Sequence, residues 1–306
     1  MIDLLRDVLR IATIVFTVAS MLSVGFSYTV AEIVAPLRDV SFVARALIAN
    51  FLLVPLLAIL LIRALPLDGS MALGLFLLAS AAGAPFLIKL LDVAEGNVGK
   101  GATLLVLLAP VTVLYLPFAV SRALAHPALS GIAEGRVEAW TIARPLLLTV
   151  LLPFAVGLLV RDRAPAFARR LQPSMGRTAS VALLVVISCA VVTNLRGILE
   201  LLGFPMLAVL LLFLGAFAIG YVIGGPAPER RIVLGFGTGQ RNIADAMLVS
   251  TQAIGDPDCT LMVVVGSLVG MLALFPIAGI FGRRKALPAP AGEAHWGDHF
   301  GTPVKA

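Results

Sequence analysis

Nine runs of apolar residues follow one another along the chain, each separated from the next by a short polar or charged stretch. A run of about 20 apolar residues is the length that an α-helix needs to cross the hydrocarbon core of a bilayer. The pattern therefore predicts an all-α, multi-pass membrane protein with about nine transmembrane helices. The runs cover residues 10–30, 42–62, 70–91, 99–120, 141–160, 178–202, 204–223, 231–253 and 260–281.

The composition supports a membrane protein and excludes an ordinary soluble one. The chain is 60% hydrophobic and 13% charged, with a mean hydropathy of +1.04, whereas soluble domains are about 45–50% apolar and about 25% charged. We expect one membrane unit over residues 1–285 and a disordered cytoplasmic tail over residues 286–306. Although the pI is 9.9, the basic residues lie between the apolar runs, which is typical of membrane topology and not of nucleic-acid binding.

The distribution of charge predicts the orientation of the chain. The most basic interval, residues 161–177, contains five arginines, and we expect it to be a cytoplasmic loop because such loops are rich in Lys and Arg. With nine spans, the N-terminus is then outside and the C-terminus is cytoplasmic. The expected location is the inner (cell) membrane of a bacterial-type cell.

Two of the apolar runs carry the signals of a broken helix. The eighth run contains glycines at positions 235, 237 and 239, followed by Gln240, Arg241, Asn242 and Asp245. The third run contains Gly83 and Pro85 near its middle. Polar residues and freed backbone groups at membrane depth usually line a cavity. The alternatives for the eighth run are a short loop between two half-helices, or polar contacts that join neighbouring helices.

The two broken runs occupy matching places in two halves of the chain, residues 10–122 and 140–285. Each broken run is followed by a strongly apolar run with a proline near its end. The offset of five spans inverts the second half relative to the first, and interrupted helices in corresponding positions point to the binding site of a transporter. Chance similarity between apolar helices is the alternative.

The broken runs supply the candidate site residues. Substrate binding is predicted for Thr238, Gln240, Arg241, Asn242, Asp245 and Lys89. The predicted backbone breaks lie at Gly83, Pro85, Gly237 and Gly239. We expect the N-termini of the half-helices to attract a carboxylate through their dipoles.

Several of these residues have a structural alternative. Arg241 and Asp245 are spaced i,i+4 and could pair on one helical face, or Asp245 could bind a proton. Gln240 and Asn242 could form hydrogen bonds between helices. Lys89 could extend to the membrane surface, and Thr238 could cap the second half-helix.

The sequence lacks the motifs of common enzymes. It has no HExxH, GxSxG or ATP-binding motif, so we expect no enzymatic activity and no cofactor. Cys189 and Cys259 both lie in or beside apolar runs, which predicts neither a disulfide framework nor a metal site. Asp245 lies within a span, but no second carboxylate lies at a comparable depth, so an intramembrane enzyme is the weakest hypothesis.

The segment 237–244, Gly-Thr-Gly-Gln-Arg-Asn-Ile-Ala, together with Arg230-Arg231 before it and Glu95-Gly96-Asn97-Val98 earlier in the chain, resembles the bile acid:sodium symporter superfamily. The resemblance covers residues 10–285. It implies two inverted repeats and a core domain against a panel domain. The third and eighth helices would be discontinuous and would cross near the membrane midplane. Family members move organic anions, many of them together with sodium.

The chain departs from the family at the sodium ligands. Where the resemblance places oxygen-bearing side chains, this sequence has Leu87, Ile88, Leu105 and Phe236, and Gln240 is retained. A hard cation prefers oxygen ligands, so the departures argue against sodium coupling.

The resulting prediction is a secondary transporter that carries a small organic anion by alternating access, without dependence on sodium. Its partners would be that anion and the lipid bilayer; the oligomeric state does not follow from the sequence. The alternative is a membrane receptor or scaffold that keeps the transporter fold without transport.

Overall fold

The computed structural model describes residues 2–34, 38–125, 138–193 and 195–286. Every regular element in this part of the chain is helical. The predicted disordered tail beyond residue 286 lies outside the described residues.

Seven of the helices are long and apolar enough to cross a membrane. They are α1 (Ile2–Ser27), α3 (Val40–Ala64), α6 (Val98–Leu124), α7 (Ala139–Arg163), α8 (Pro165–Thr193), α10 (Phe204–Ile223) and α13 (Pro257–Ala286). The shorter helices are α2 (Val30–Val34), α4 (Gly69–Ser80), α5 (Leu87–Val93), α9 (Leu195–Leu201), α11 (Pro228–Gly239) and α12 (Ile243–Leu248). A π-helical segment, Val249–Ile254, continues α12.

The basic interval at residues 161–177 is helical, so the prediction of a loop there was wrong. Helix α7 ends at Arg163 and α8 begins at Pro165, with Ala164 between them. Hydropathy marks where apolar residues stop, but arginine is itself a good helix former. The helix therefore continues beyond the apolar run, with the side chains of Arg169 and Arg170 exposed.

The third and eighth apolar runs are each divided into two shorter helices. The first interruption, residues 81–86, separates α4 from α5, and the second interruption, residues 240–242, separates α11 from α12. Gly83 has a φ of +81°, which a residue with a side chain adopts only with strain. A Cβ at this position would lie 2.7 Å from the backbone N of Ala109 in α6. The first interruption therefore needs glycine for both its conformation and its packing.

The helices pack into two groups. In the first group, α1 contacts α7 and α8 extensively. In the second group, α10 packs on α3, α11 and α13, and α13 also packs on α4. Glycines let α1 and α7 approach closely, because a Cβ at Gly25 would lie 2.8 Å from the Cα of Gly157. Small residues at such a crossing are typical of membrane helices. The two interruptions belong to the second group, and α12 also contacts α1.

Candidate functional site at the two helix interruptions

The two interruptions lie against each other and share hydrogen bonds. The backbone N–H of Asn242 donates to the carbonyl of Ala81 at 2.9 Å. The side-chain Nδ2 of Asn242 donates to the carbonyl of Gly83 at 3.3 Å. A broken helix leaves backbone groups without intrahelical partners, and here the first interruption provides acceptors while the second provides donors. Two segments that are about 160 residues apart in sequence therefore form one buried polar cluster.

Helix α6 fixes the first interruption from the other side. Thr112 Oγ1 donates to the carbonyl of Ala82 at 3.1 Å and accepts from the backbone N–H of Ala82 at 3.2 Å. One hydroxyl therefore satisfies both backbone groups of a residue that has lost its helical partners. Thr112 was not predicted, because a threonine in an apolar run gives no signal of its own.

Arg241 is fully buried and connects both interruptions. Its Nε donates to the carbonyl of Ala81 at 3.2 Å, and its Nη1 donates to the carbonyl of Thr238 at 2.9 Å. Nη2 has no hydrogen-bond partner within the described part of the chain. An unpaired donor on a buried cation is costly, so it marks a position suited to an anionic ligand.

The predicted i,i+4 pair of Arg241 and Asp245 is absent from the structure, because the two residues do not share a helix. Asn242 is the N-cap of α12, so Arg241 lies before the helix begins. Asp245, also fully buried, accepts a hydrogen bond from Asn242 Nδ2 at 2.9 Å. Its Oδ1 has no partner among the described residues. The cation and the carboxyl group are therefore separate features of the site.

Asn242 caps the second half-helix, a role that the sequence analysis considered for Thr238. Asn242 Oδ1 accepts from the backbone N–H of Ala244 at 3.1 Å. Thr238 lies in the last turn of α11 instead, and its Oγ1 accepts from Asn50 Nδ2 at 3.3 Å. Asn50 is a buried residue of α3 that the sequence analysis missed, although a lone asparagine inside an apolar run was a usable signal.

The side-chain amide of Gln240 makes fewer hydrogen bonds than that of Asn242. Its Nε2 donates to the carbonyl of Arg241 at 3.4 Å, and its Oε1 has no partner in the described ranges. Gly237 and Gly239 lie in the last turn of α11, so the prediction that the helix breaks at these glycines was wrong, and the interruption begins at Gln240. Both glycines allow close packing instead: a Cβ at Gly237 would overlap Leu104, and one at Gly239 would lie 3.0 Å from Cβ of Phe217.

The ends of the half-helices are largely occupied by the protein itself. At the start of α5, the backbone N–H groups of Leu87 and Ile88 donate to the carbonyls of Ala84 and Pro85. At the start of α12, the N–H of Ala244 is bonded to Asn242. These N–H groups are therefore already bonded within the protein.

A cleft of 260 Å³ opens beside the interruptions. Pro85 and the polar residues 240–242 line it, together with residues of α1, α8 and α13. The cleft thus lies between the two packing groups of the fold. Four serine residues, missed by the sequence analysis because they are scattered through apolar runs, also line it: Ser20, Ser23, Ser180 and Ser267.

Lys89 lies away from this cleft. Its ammonium group is 3.0 Å from Asp92 Oδ2, and both side chains are more than half exposed. The structure therefore supports the surface position that the sequence analysis considered, and the ammonium group does not line the cleft beside Arg241.

Several side chains beside the interruptions offer no oxygen ligand to a sodium ion, whereas Oγ of Ser80, Oε1 of Gln240 and Oδ1 of Asp245 have no hydrogen-bond partner among the described residues. Leu87, Leu105 and Phe236 are buried and offer no oxygen atoms to a hard cation. The carbonyls of Ala81 and Thr238 already accept hydrogen bonds from Arg241. In the described ranges, no group of three or more His, Cys, Asp or Glu side chains could hold a metal ion.

Comparison with known proteins identifies the family. The model of the sodium bile acid symporter family matches residues 14–201, more than half of the chain. The chain belongs to this family. The match includes the first interruption but ends before the second, so residues 237–245 lie outside it. The predicted resemblance is confirmed, and with it the expectation of a membrane transporter family and not an enzyme family.

Curated relatives agree with this assignment. The chain is 25% identical, over 77% of its length, to the probable sodium/metabolite cotransporter BASS3, chloroplastic, of Oryza sativa subsp. japonica. It is also 25% identical to BASS3 of Arabidopsis thaliana over 82% of its length, and to BASS2 of Oryza sativa subsp. japonica over 88%. The chain spans 55%, 59% and 63% of the lengths of these three relatives.

Proposed function

We propose that the protein is a secondary transporter that moves a small organic anion across a membrane. The observation that carries this proposal is the unpaired Nη2 of Arg241, a fully buried residue at the border of a 260 Å³ cleft. A planar guanidinium is well suited to bind a carboxylate. The cleft is slightly below the usual range of about 300–1,000 Å³ for ligand pockets, which favours a small molecule.

The proposed architecture has nine spanning segments in two inverted repeats, residues 10–122 and 140–285, with the N-terminus outside and the C-terminus in the cytoplasm. The third and eighth segments would cross at the interruptions. The hydrogen bonds between the two interruptions support this arrangement. Alternating access would move α1, α7 and α8 relative to the other helices, because the cleft lies between these groups.

We propose that transport does not require sodium. The relatives are named sodium/metabolite cotransporters, but Leu87, Leu105 and Phe236 in this chain supply no ligand oxygen. A proton is the coupling ion that the site supports best. Asp245 is the single acidic residue between positions 235 and 254, and buried carboxyl groups at membrane depth serve in proton relays.

The test is uptake into proteoliposomes of a panel of radiolabelled small carboxylates. We expect uptake above that of empty liposomes, unchanged when choline replaces sodium. Arg241→Gln should reduce uptake at least about 100-fold, equivalent to about 2.7 kcal/mol, whereas Lys89→Gln should leave it intact. Asp245→Asn should remove the stimulation of uptake by an inward proton gradient.

Two results would contradict the proposal. Loss of uptake on sodium removal, restored by sodium alone, would show that the cation is required. Binding of carboxylates without any uptake would favour the alternative of a receptor with the transporter fold.

A further inference from the structure

We propose that the guanidinium of Arg241 is a resident cation, which links the two interruptions in the way that a bound metal ion would. This inference rests on the proposed function for the identity of the anion, but not for the linkage itself. Its test measures protein stability without any transport substrate. Failure of the two proposals can therefore be told apart.

The first argument is the position of the guanidinium. Arg241 belongs to the second interruption, and its guanidinium donates to the carbonyl of Ala81 in the first interruption and to the carbonyl of Thr238 in the last turn of α11. Unwound carbonyls at broken helices are the groups that bind cations in many transporters. In this protein the guanidinium of Arg241 donates to these carbonyls. Because the guanidinium is covalently attached to the chain, it cannot dissociate, and its charge is present in every conformation of the site.

The charge of Arg241 also disfavours an additional cation. A cation beside these carbonyls would be repelled by Arg241, and charge repulsion is stronger in a buried site than in water. Asp245 is the nearest acidic residue in sequence, but it does not pair with the arginine and instead accepts from Asn242. The site therefore carries the positive charge that a sodium ion would otherwise bring.

The nitrogen atoms of the guanidinium differ in their hydrogen bonding. Nε and Nη1 are used to hold the interruptions, while Nη2 has no partner in the residues that the structure describes. Five N–H donors in a planar fork allow one group to bridge two carbonyls and still bind a ligand. A lysine at this position would offer a single ammonium and could not reproduce this fork.

The experiment is chemical rescue in Arg241→Ala, followed by the thermal unfolding midpoint of the purified protein. Alanine leaves the space of one ethylguanidinium ion. A ligand that binds the native state raises its apparent stability, so we expect millimolar ethylguanidinium chloride to raise the midpoint of Arg241→Ala by several degrees relative to choline chloride. The midpoint of the wild-type protein should not respond.

Phe236→Ala is the matched control, because Phe236 is fully buried in α11 and its removal also creates a cavity. Unlike Arg241, however, Phe236 makes no hydrogen bond to Ala81, so its removal leaves that carbonyl unchanged. Ethylguanidinium should not stabilise this variant. Equal stabilisation of both variants, or none of Arg241→Ala, would overturn the proposal.

A second measurement covers the case in which Arg241→Ala does not fold. The wild-type protein should unfold at the same temperature in sodium chloride and in choline chloride of equal concentration. A rise of the midpoint that is specific to sodium would overturn the proposal as well.

Discussion

The two interruptions face each other but are built from opposite kinds of residue. The first reads Ala-Ala-Gly-Ala-Pro-Phe over residues 81–86 and carries no polar side chain, whereas the second reads Gln-Arg-Asn over residues 240–242. The first offers carbonyls, fixed by Thr112 and by the close contact of Gly83 with α6. The second offers donors that reach those carbonyls. Substitutions in the first interruption should thus change the local backbone conformation and the stability of the protein. Substitutions in the second interruption should also change the binding of the substrate.

Gly83→Ala should have the largest effect on stability. It adds the strain of a positive φ and an overlap with the backbone of Ala109, so we expect a loss of about 3 kcal/mol in the free energy of unfolding. The measurement is the thermal unfolding midpoint of the purified protein. Gly255→Ala is the control, since its φ is +75° but a Cβ there meets nothing within 4 Å. It should cost about 1 kcal/mol, and equal losses at both positions would show that packing against α6 is unimportant.

Asn242→Ala should have an intermediate effect. It removes the cap of α12, the bond to the carbonyl of Gly83 and the partner of Asp245, at an expected cost of about 2–3 kcal/mol. Asn97→Ala is the control, because Asn97 also caps a helix, by accepting from the N–H of Lys100, and also donates to a second partner, Glu229, but does so at the surface. The control should cost about 1 kcal/mol. A smaller loss for Asn242→Ala than for Asn97→Ala would argue against a role in joining the interruptions.

Lys89→Gln should have the smallest effect. Its ion pair with Asp92 is exposed, and such pairs contribute about 0–1 kcal/mol. We expect a change in stability below about 0.5 kcal/mol and unchanged binding of carboxylates. A strong loss of binding would mean that the ammonium group reaches the cleft in another conformation of the protein.

The sequence predicted the membrane class and the places of the two interruptions, because both rest on local patterns. Hydropathy locates apolar runs, and Gly83 and Pro85 mark the first interruption. The second interruption begins one residue after the predicted break at Gly237 and Gly239, because both glycines are still helical. The partners of these residues could not be predicted in the same way. Arg241 and Asp245 have the spacing of a helical pair, but the N-cap at Asn242 places them on either side of a helix start.

The partners of residues that contribute through tertiary contact could not be predicted from the sequence either. Thr112 and Asn50 are polar residues in apolar runs, and their contribution depends on which backbone or side chain faces them. The helical continuation through residues 165–177 was missed for a related reason, because hydropathy reports the membrane boundary and not the end of a helix.

The most direct test of the account is equilibrium binding of small carboxylates to the wild-type protein and to Arg241→Gln, measured by titration calorimetry in sodium-free buffer. The account predicts that at least one small carboxylate binds the wild-type protein without sodium. It also predicts that Arg241→Gln weakens this binding by about 10–100-fold, as expected when a charged hydrogen bond worth about 1.5–3 kcal/mol is lost. Equal affinity for both proteins, or binding that occurs only after sodium is added, would contradict it.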